Sequence, residues 1–363
     1  NGDIYKKNYK IKYCVGCELE KTESELVNGR CPIHPNLEIE IIEEENYFFR
    51  FSKYQKPLLE FYEKNPQFVL PETKFNEIKT FVRGGLRDFS VSRLKSKMPW
   101  GIDVPNDKEQ VMYVWFDALI NYISTLGWPD DLKKFKDFWP GIQVAGKDNL
   151  RQQTAIWQAM LLSAKLPNSK QVFIHGFITA NGQKISKSLG NVVNPFVLAK
   201  KYGIDAVRYY LLREIPSYGD GDFSESRFKE LYNADLANGL GNLVSRVAKL
   251  AEKTNLQDLT SQGHALRSYN FPDNYGMALE EFRFNDALAF VWEKVTAANK
   301  TVDEAKPWEL KGKELEKVLE KVIQQILEIA VLLQPFLPET AEKIKQQFSG
   351  KIIVHPSLFS RIV

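Results

Sequence analysis

All three cysteines of this 363-residue chain lie between positions 14 and 31, and a histidine follows them at position 34. The pattern is Cys-x-x-Cys, thirteen residues, and then Cys-x-x-His, which is typical of a zinc knuckle. Three thiols cannot all pair as disulfides, and inert thiols have no reason to share this spacing. Residues 1 to about 45 are therefore predicted to fold as short strands and turns around a structural Zn²⁺, because so small a segment has little core of its own. The predicted ligands are Cys14, Cys17, Cys31 and His34.

The composition, with 44% hydrophobic and 26% charged residues, is that of an ordinary globular protein long enough for two or three domains. No apolar run reaches the length of about 18 residues that a membrane span needs, so no membrane partner is expected. The net charge of +3 is too balanced for nucleic-acid binding by bulk electrostatics, but it permits a local basic face. Reduced thiolates at a metal indicate a cytoplasmic protein.

Apolar runs alternate with helical spacing between residues 109 and 180. The run at 111–116 is continuous, as expected for a buried parallel strand. The alternation of strands and helices predicts half of an open α/β sheet. The predicted elements are strands at 111–116, 142–146 and 171–175, a helix that begins at Asp117, and a helix at 149–164.

The second half of the chain is predicted to be mostly helical. From about residue 226 to residue 347, apolar residues recur at i, i+3 and i+4 spacing, as in Leu315, Val318, Leu319 and Val322. This pattern predicts a helical bundle that follows the α/β region.

The sequence Lys-Ile-Ser-Lys-Ser follows Asn181-Gly182, which is a strong signal for a tight turn. Its two ammonium groups belong to Lys184 and Lys187. A loop of this kind could close over a triphosphate and stabilise the charge on the departing pyrophosphate. The alternative is a solvated basic turn, but the position between a buried strand and a helical region favours the phosphate function.

This lysine loop resembles the KMSKS signature of class I aminoacyl-tRNA synthetases, with Ile185 in place of the usual Met. The segment at 175–177, His-Gly-Phe, resembles the HG(F/Y) strand end of that family, and Gly-Lys-Asp at 146–148 resembles its GKD element. The resemblance implies that Lys184 and Lys187 are catalytic residues on the phosphates and that Asp148 holds the ribose hydroxyls. The other ATP-binding residues that it implies are Gly146, His175, Gly176 and Ile178.

Residues 113–122 are similar to the strand–helix junction of the methionyl-tRNA synthetases, where they would form a soft apolar slot for a thioether. Taken alone, such aromatics would be ordinary core residues. The family commonly has an apolar residue and a His where this chain has Asn149 and Gln153, so the assignment to methionine depends more on other motifs. The methionine-binding residues implied are Trp115, Ala118, Leu119, Tyr122, Asn149 and Gln153.

Residues 232–246 are similar to the start of the methionyl anticodon-binding bundle, and Pro307-Trp308 matches the Pro-Trp of that family. The resemblance implies that Asn242 and Arg246 hydrogen-bond splayed anticodon bases. It also implies that Trp308 stacks on the first of these bases. The zinc knuckle matches the connective peptide of one branch of the family.

The family also has an HxGH element whose imidazoles contact the α-phosphate. The four histidines of this sequence, at positions 34, 175, 264 and 355, do not form it. We therefore expect these residues to be a piece of a longer polypeptide or the larger half of a split enzyme, with the missing N-terminal segment as a partner. The sequence stops where the family's bundle ends, which predicts a monomer.

The predicted fold class is α/β, with a class I Rossmann-like catalytic half-sheet, a zinc-knuckle insertion and a C-terminal helical anticodon-binding bundle. The predicted function is that of a methionine–tRNA ligase, which uses methionine, ATP with Mg²⁺, and tRNA(Met). The alternatives are a class I synthetase for another amino acid and a non-catalytic tRNA-binding fragment. The predicted domains are 1–108 (connective peptide with zinc knuckle), 109–180 (second half of the catalytic domain), 181–230 (lysine loop and stem contacts) and 231–363 (anticodon binding).

Overall fold

The computed structural model describes residues 1–17, 19–185, 190–256 and 271–362. The chain divides into two compact units, Asn1–Ile174 and His175–Val363, each with a buried apolar core of its own. Across these described residues, every helix is too short or too polar to cross a membrane.

The first unit mixes short strands and helices. Its strands are β1 (Ile4–Cys14), β2 (Leu19–Lys21), β3 (Glu40–Phe49), β4 (Val69–Leu70), β5 (Phe89–Ser90), β6 (Ser92–Leu94), β7 (Asp103–Val104), β8 (Asp107–Met112), β9 (Ile142–Gly146) and β10 (Gln171–His175). Its helices are α1 (Gln55–Lys64), α2 (Glu72–Arg83), α3 (Val114–Ala118), α4 (Asn121–Ser124), α5 (Leu132–Phe138) and α6 (Trp157–Ala164), the last preceded by a π-helical turn at Gln152–Ile156.

The strands β1 and β3 form a long antiparallel hairpin, with Ile4 opposite Phe49 and Tyr13 opposite Glu40. With 11 and 10 residues, they are longer than the short strands predicted for this segment. Opposite charges face each other along the pair, as where Lys10 Nζ lies 3.5 Å from Glu43 Oε2. Such cross-strand ion pairs favour pairing along the whole length of the two strands, although each pair contributes little free energy at an exposed position. The hairpin carries Cys14 at the end of β1.

The predicted strands at 142–146 and 171–175 are confirmed as β9 and β10, which lie in one sheet of order β4-β10-β9. The predicted parallel strand at 111–116 is wrong. Val111 and Met112 end β8, which pairs antiparallel with β6 and β7, and Val114–Ala118 forms α3. A short apolar run carries no period, so it does not distinguish a strand from a buried helical turn.

The second unit begins with a small sheet and continues as helices. Its strands are β11 (Ile178–Ala180), β12 (Gln183–Lys184) and β13 (Gly221–Phe223), in the order β12-β11-β13. Its helices are α7 (Pro195–Tyr202), α8 (Ile204–Arg213), α9 (Glu225–Leu231), α10 (Asn242–Ala251), α11 (Asp273–Glu280), α12 (Phe284–Ala305), α13 (Gly312–Leu333) and α14 (Pro338–Gln347).

The predicted helical bundle is present in the second unit. Leu319, Val322, Ile323 and Ile326 lie on one face of α13, and each is at most 1% exposed. Burial of this apolar face is what stabilises a helix in a bundle. A π-helical stretch of 10 residues, Tyr232–Gly241, connects α9 directly to α10.

Candidate functional site

The predicted metal ligands come together at the tip of the β1–β3 hairpin. The ligand atoms of Cys14, Cys17, Cys31 and His34 all lie within 4.8 Å of one another. Cys17 Sγ is 3.4 Å from Cys31 Sγ and 3.2 Å from His34 Nδ1, and Cys14 Sγ is 3.8 Å from the same nitrogen. These separations are close to the edge of about 3.8 Å of a tetrahedron whose Zn–S bonds are about 2.3 Å. The cluster could therefore hold a zinc ion.

Two further observations fit a metal centre. A Cβ atom on Gly16 would lie 2.6 Å from His34 Cγ, so the turn between the first two cysteines has no room for a side chain. Burial would raise the pKa of the Cys31 thiol, but the backbone N–H groups of Ile33 and His34 lower it to about 6. Burial and the neighbouring Cys31 thiol raise the pKa of Cys17, so Cys31 is the thiol of this pair that deprotonates first. The thiolate is the form that binds metal.

The predicted methionine-binding residues lie on two stretches of the first unit, residues 115–122 and residues 149–153. Trp115 and Ala118 belong to α3, and Leu119 and Tyr122 follow on the next turn and on α4. Gln153 lies on the π-helical turn, is 4% exposed, and donates from Nε2 to Tyr122 Oη at 3.0 Å. Gln153 Oε1 is buried and accepts no hydrogen bond from the described residues.

The GKD segment ends β9 and begins a single 3₁₀ turn. Gly146 is the last residue of β9, Asp148 is exposed within the turn, and Asn149 is half-buried at its end. An exposed carboxylate at the end of a strand is available to a ligand hydroxyl group. The predicted residues Asp148 and Asn149 therefore have positions compatible with ligand contact.

A cavity of about 580 Å³ opens beside Trp115 in the first unit. Three arginines line it, and the sequence pattern did not indicate them, since they belong to no motif and are far apart in sequence. They are Arg87, Arg93 and Arg151.

In the second unit, β11 and β12 form the hairpin from which the lysine loop extends. The turn residues Asn181 and Gly182 have φ values of 52° and 74°, which confirms the tight turn that the sequence predicts. Asp222 Oδ1 accepts hydrogen bonds from Gly182 N at 2.7 Å and Thr179 Oγ1 at 2.6 Å, and these bonds hold the pKa of Asp222 below its usual range. Sequence reasoning missed Asp222.

The two predicted lysines are described only in part. The backbone of Lys184 pairs with Thr179 within the hairpin, and Lys187 lies outside the described residues. His175 ends β10, and its Nδ1 is 2.8 Å from Gly176 O. A Cβ atom on Gly176 would lie 2.1 Å from Gly219 O, so only glycine fits this position. Ile178 begins β11 and is 37% exposed.

The predicted anticodon-binding residues lie on α10 and on the 3₁₀ turn at Pro307–Glu309. Arg246 donates from Nη2 to Asp303 Oδ1 at 2.8 Å, and its guanidinium carbon lies 5.7 Å from the centre of the Trp308 ring. Trp308 is 52% exposed, whereas Pro307 is buried at the start of a 3₁₀ turn. Asn242 is exposed one helical turn before Arg246 on α10. Asp303 was missed because nothing local to it indicates its partner.

A family model described as tRNA synthetases class I (M) matches residues 5–248. The methionine–tRNA ligase of Thermosynechococcus vestitus is 42% identical over 99% of this chain and 71% of that protein. That of Nostoc is 44% identical over 95% of this chain and 68% of that protein, and that of Caldanaerobacter subterraneus is 42% identical over 95% of this chain and 56% of that protein. The chain belongs to the methionyl-tRNA synthetases.

Solved structures agree with this family. The Mycobacterium tuberculosis methionyl-tRNA synthetase in complex with methionyl-adenylate has a TM-score of 0.86 and 34% identity, over 99% of this chain and 78% of that chain. The free state of that synthetase has a TM-score of 0.83, with 32% identity over 100% of this chain and 78% of that chain. The predicted class I synthetase fold and the prediction of a methionyl-type aminoacyl-tRNA ligase are thereby confirmed.

Proposed function

We propose that the chain takes part in both steps of methionine–tRNA ligation. In the first step, the methionine carboxylate attacks the α-phosphorus of ATP, and the bond to pyrophosphate breaks to give methionyl-adenylate. In the second, a hydroxyl of the terminal tRNA ribose attacks the methionyl carbonyl carbon and AMP leaves. Neither step needs a covalent enzyme intermediate, so catalysis comes from alignment of the reactants and stabilisation of phosphate charge.

The tRNA part of the proposal is carried by one observation, the contact of Arg246 with the exposed ring of Trp308. An exposed ring beside a guanidinium offers stacking and hydrogen bonding to unpaired bases. We assign Asn242 and Arg246 to hydrogen bonds with the anticodon, Trp308 to stacking, and Pro307 to the position of Trp308. This assignment favours a methionyl-tRNA synthetase over a synthetase for another amino acid.

For ATP, the assigned groups are those of the GKD segment and of the lysine hairpin. Asp148 would accept hydrogen bonds from the ribose, and Lys184 and Lys187 would neutralise the β and γ phosphates as pyrophosphate leaves. The fixed tight turn of the hairpin supports this assignment, because it sets the direction in which the loop leaves the sheet. Mg²⁺ bound with ATP would supply further charge. The other residues that we assign to ATP binding are Gly146, His175, Gly176 and Ile178.

For methionine, the assigned wall is formed by Trp115, Ala118, Leu119, Tyr122, Asn149 and Gln153. The buried oxygen of Gln153 supports a ligand here, because an unsatisfied buried acceptor costs about 1–3 kcal/mol that a ligand donor would offset. Zinc, held by the three cysteines and His34, would stabilise the hairpin tip and leave no ligand position open for catalysis.

We propose that α-phosphate contacts come from an HxGH-containing segment beyond these 363 residues, and that the protein works as a cytoplasmic monomer.

The test is amino-acid-dependent ATP–pyrophosphate exchange. The chain alone should show little exchange. The chain joined to the HxGH-containing segment of a relative should exchange with methionine but not with leucine, isoleucine, valine or cysteine. Lys187→Ala in the active form should lower the exchange rate far more than methionine affinity. Tight tRNA binding without exchange in either form would favour the non-catalytic alternative.

A further inference from the structure

A cavity of about 250 Å³ opens on the helical bundle between α10, α14 and the segment that follows α14. Its most buried lining residues are Val244 and Gln347, which are 2% and 5% exposed. Among the described residues that line it, none is acidic. Its volume lies below the usual range of about 300–1,000 Å³ for the sites of whole ligands, so it suits a single small group. The polar residues that line it are Ser245, Lys343, Gln346, Gln347, His355 and Ser357.

Hydrogen bonds from the ends of α10 and α14 hold the segment after α14 in place. Gln347 Oε1 accepts a hydrogen bond from His355 N at 3.1 Å, and Gln347 Nε2 donates to Ile353 O. Glu252 Oε1 accepts a hydrogen bond from Val354 N at 3.1 Å. The main chain at His355 is therefore fixed, and the cavity is formed before any ligand binds.

Three polar side chains in the cavity remain unpaired within the described part of the chain. They are the hydroxyl of Ser245, the ammonium of Lys343 and the imidazole ring of His355. Glu342, which precedes Lys343 on α14, instead accepts a hydrogen bond from Gln346 Nε2 at 3.1 Å. An ammonium, a hydroxyl and an imidazole N–H can all donate to a phosphate oxygen, and the ammonium adds a positive charge.

The cavity lies next to the residues proposed to bind the anticodon. Ser245 directly precedes Arg246 on α10, and the two side chains are separated by about 100° around the helix. A loop whose bases contact Asn242 and Arg246 carries its phosphates along the flanks of that face. Phosphate contacts fix the position of a nucleic acid without reading its sequence. We infer that the cavity binds one backbone phosphate of the anticodon loop through Ser245, Lys343 and His355, an inference that rests on the proposed function.

The experiment measures binding of an RNA stem–loop with the methionine anticodon to the full chain at several salt concentrations. Lys343→Ala should weaken binding roughly tenfold at low salt, because a charge-assisted hydrogen bond is lost. It should also reduce the slope of log affinity against log salt by about 0.7, the value for one phosphate of a single strand. Lys345→Ala is the matched control, since Lys345 lies on the same helix, donates to Gln334 Oε1 at 2.8 Å and does not line the cavity. The control should retain both the affinity and the slope.

A neutral methylphosphonate placed at each linkage of the loop in turn should identify the phosphate. At one linkage it should weaken binding to the wild-type chain but not to Lys343→Ala, because both changes remove the same contact. The loss caused by Lys343→Ala should be the same for a stem–loop with a replaced anticodon, since a phosphate contact does not report the bases. Addition of the stem–loop should shift the ring resonances of His355.

Methylphosphonate effects that are equal in wild type and Lys343→Ala at every linkage would overturn the inference, as would a slope that Lys343→Ala does not change. A shift of the His355 resonances with inorganic phosphate but not with the stem–loop would assign the cavity to a free phosphate and also overturn it. In each of these cases RNA still binds to the wild-type chain, so the proposed function stands. Binding of whole tRNA(Met) but not of the stem–loop would overturn the inference alone. Absence of any binding of tRNA(Met) would overturn the proposed function and the inference together.

Discussion

The hairpin tip that bears the cluster of three cysteines and His34 differs from the helical bundle in how much apolar surface it buries. At the tip, Cys14 and Cys31 are fully buried, while the apolar side chains of Val27, Ile33 and Ile41 are each more than 60% exposed. In the bundle, by contrast, the apolar face of α13 is almost completely buried. We therefore expect the tip to depend on the proposed zinc coordination and the bundle to depend on apolar burial. A substitution that destabilises one region should then leave the other folded.

The largest expected effect is on the tip. Cys17→Ala removes one of four ligands, and the free energy of binding structural zinc is about 10–16 kcal/mol in small zinc-finger peptides. The variant should lose zinc and leave roughly the first forty residues open to proteolysis, because little apolar burial holds them. Metal analysis and limited proteolysis measure both effects, and the bundle should remain resistant.

Cys17→His is the matched control, since it restores a ligand and should retain zinc. A wild-type protein that contains no zinc when freshly purified and reduced would contradict the assignment of this cluster.

The next effect is on the bundle. Ile326 is fully buried on α13, and Ile326→Ala should lower the free energy of unfolding of the bundle by about 2–5 kcal/mol through lost burial and a cavity. Zinc content should not change. Thermal unfolding measures the loss, with the exposed Lys317→Ala on the same helix as the control. Release of zinc by Ile326→Ala would show that the two regions are not independent.

A smaller effect is expected at the exposed ring of the bundle. Trp308→Ala should weaken tRNA binding by about 1–3 kcal/mol through lost stacking, with little change in stability because the ring is half-exposed. Filter binding of tRNA(Met) measures it. Trp100→Ala, which removes an exposed tryptophan of the first unit, is the control. If Trp308→Ala instead lowered the melting temperature strongly, the ring would be structural.

The smallest effect concerns the turn of the lysine hairpin. Hydrogen bonds from Thr179 Oγ1 and Gly182 N lower the pKa of Asp222, so this carboxylate stabilises the folded turn at neutral pH. The stabilisation should be lost as the pH falls through the lowered pKa. The Gly182 amide resonance should titrate below the usual range of aspartate, and Thr179→Val should raise its midpoint. A midpoint that Thr179→Val does not move would contradict this role of Asp222.

The features that can be predicted from the sequence are those that residues close together in the chain determine. The knuckle spacing and the Asn181-Gly182 turn are local signals, and the structure confirms both the cluster and the turn. The apolar run at 111–116 was misassigned because its length and hydrophobicity are compatible with either element. The partners of Arg246 and Thr179, which are Asp303 and Asp222, are separated from them by many residues. Such contacts depend on the fold, so the spacing of residues in the sequence does not predict them.

The π-helical stretch at Tyr232–Gly241 also determines how far α10 is rotated about its axis relative to α9. An α-helix turns by about 100° for each residue, and a π-helix, with its i→i+5 hydrogen bonds, turns by less, so deletion of one residue from this stretch would rotate α10 relative to α9. Asn242 and Arg246 would then leave the side of the bundle that bears Trp308, although neither residue had been replaced. A single deletion before α10 would thus alter the whole proposed anticodon-binding surface at once.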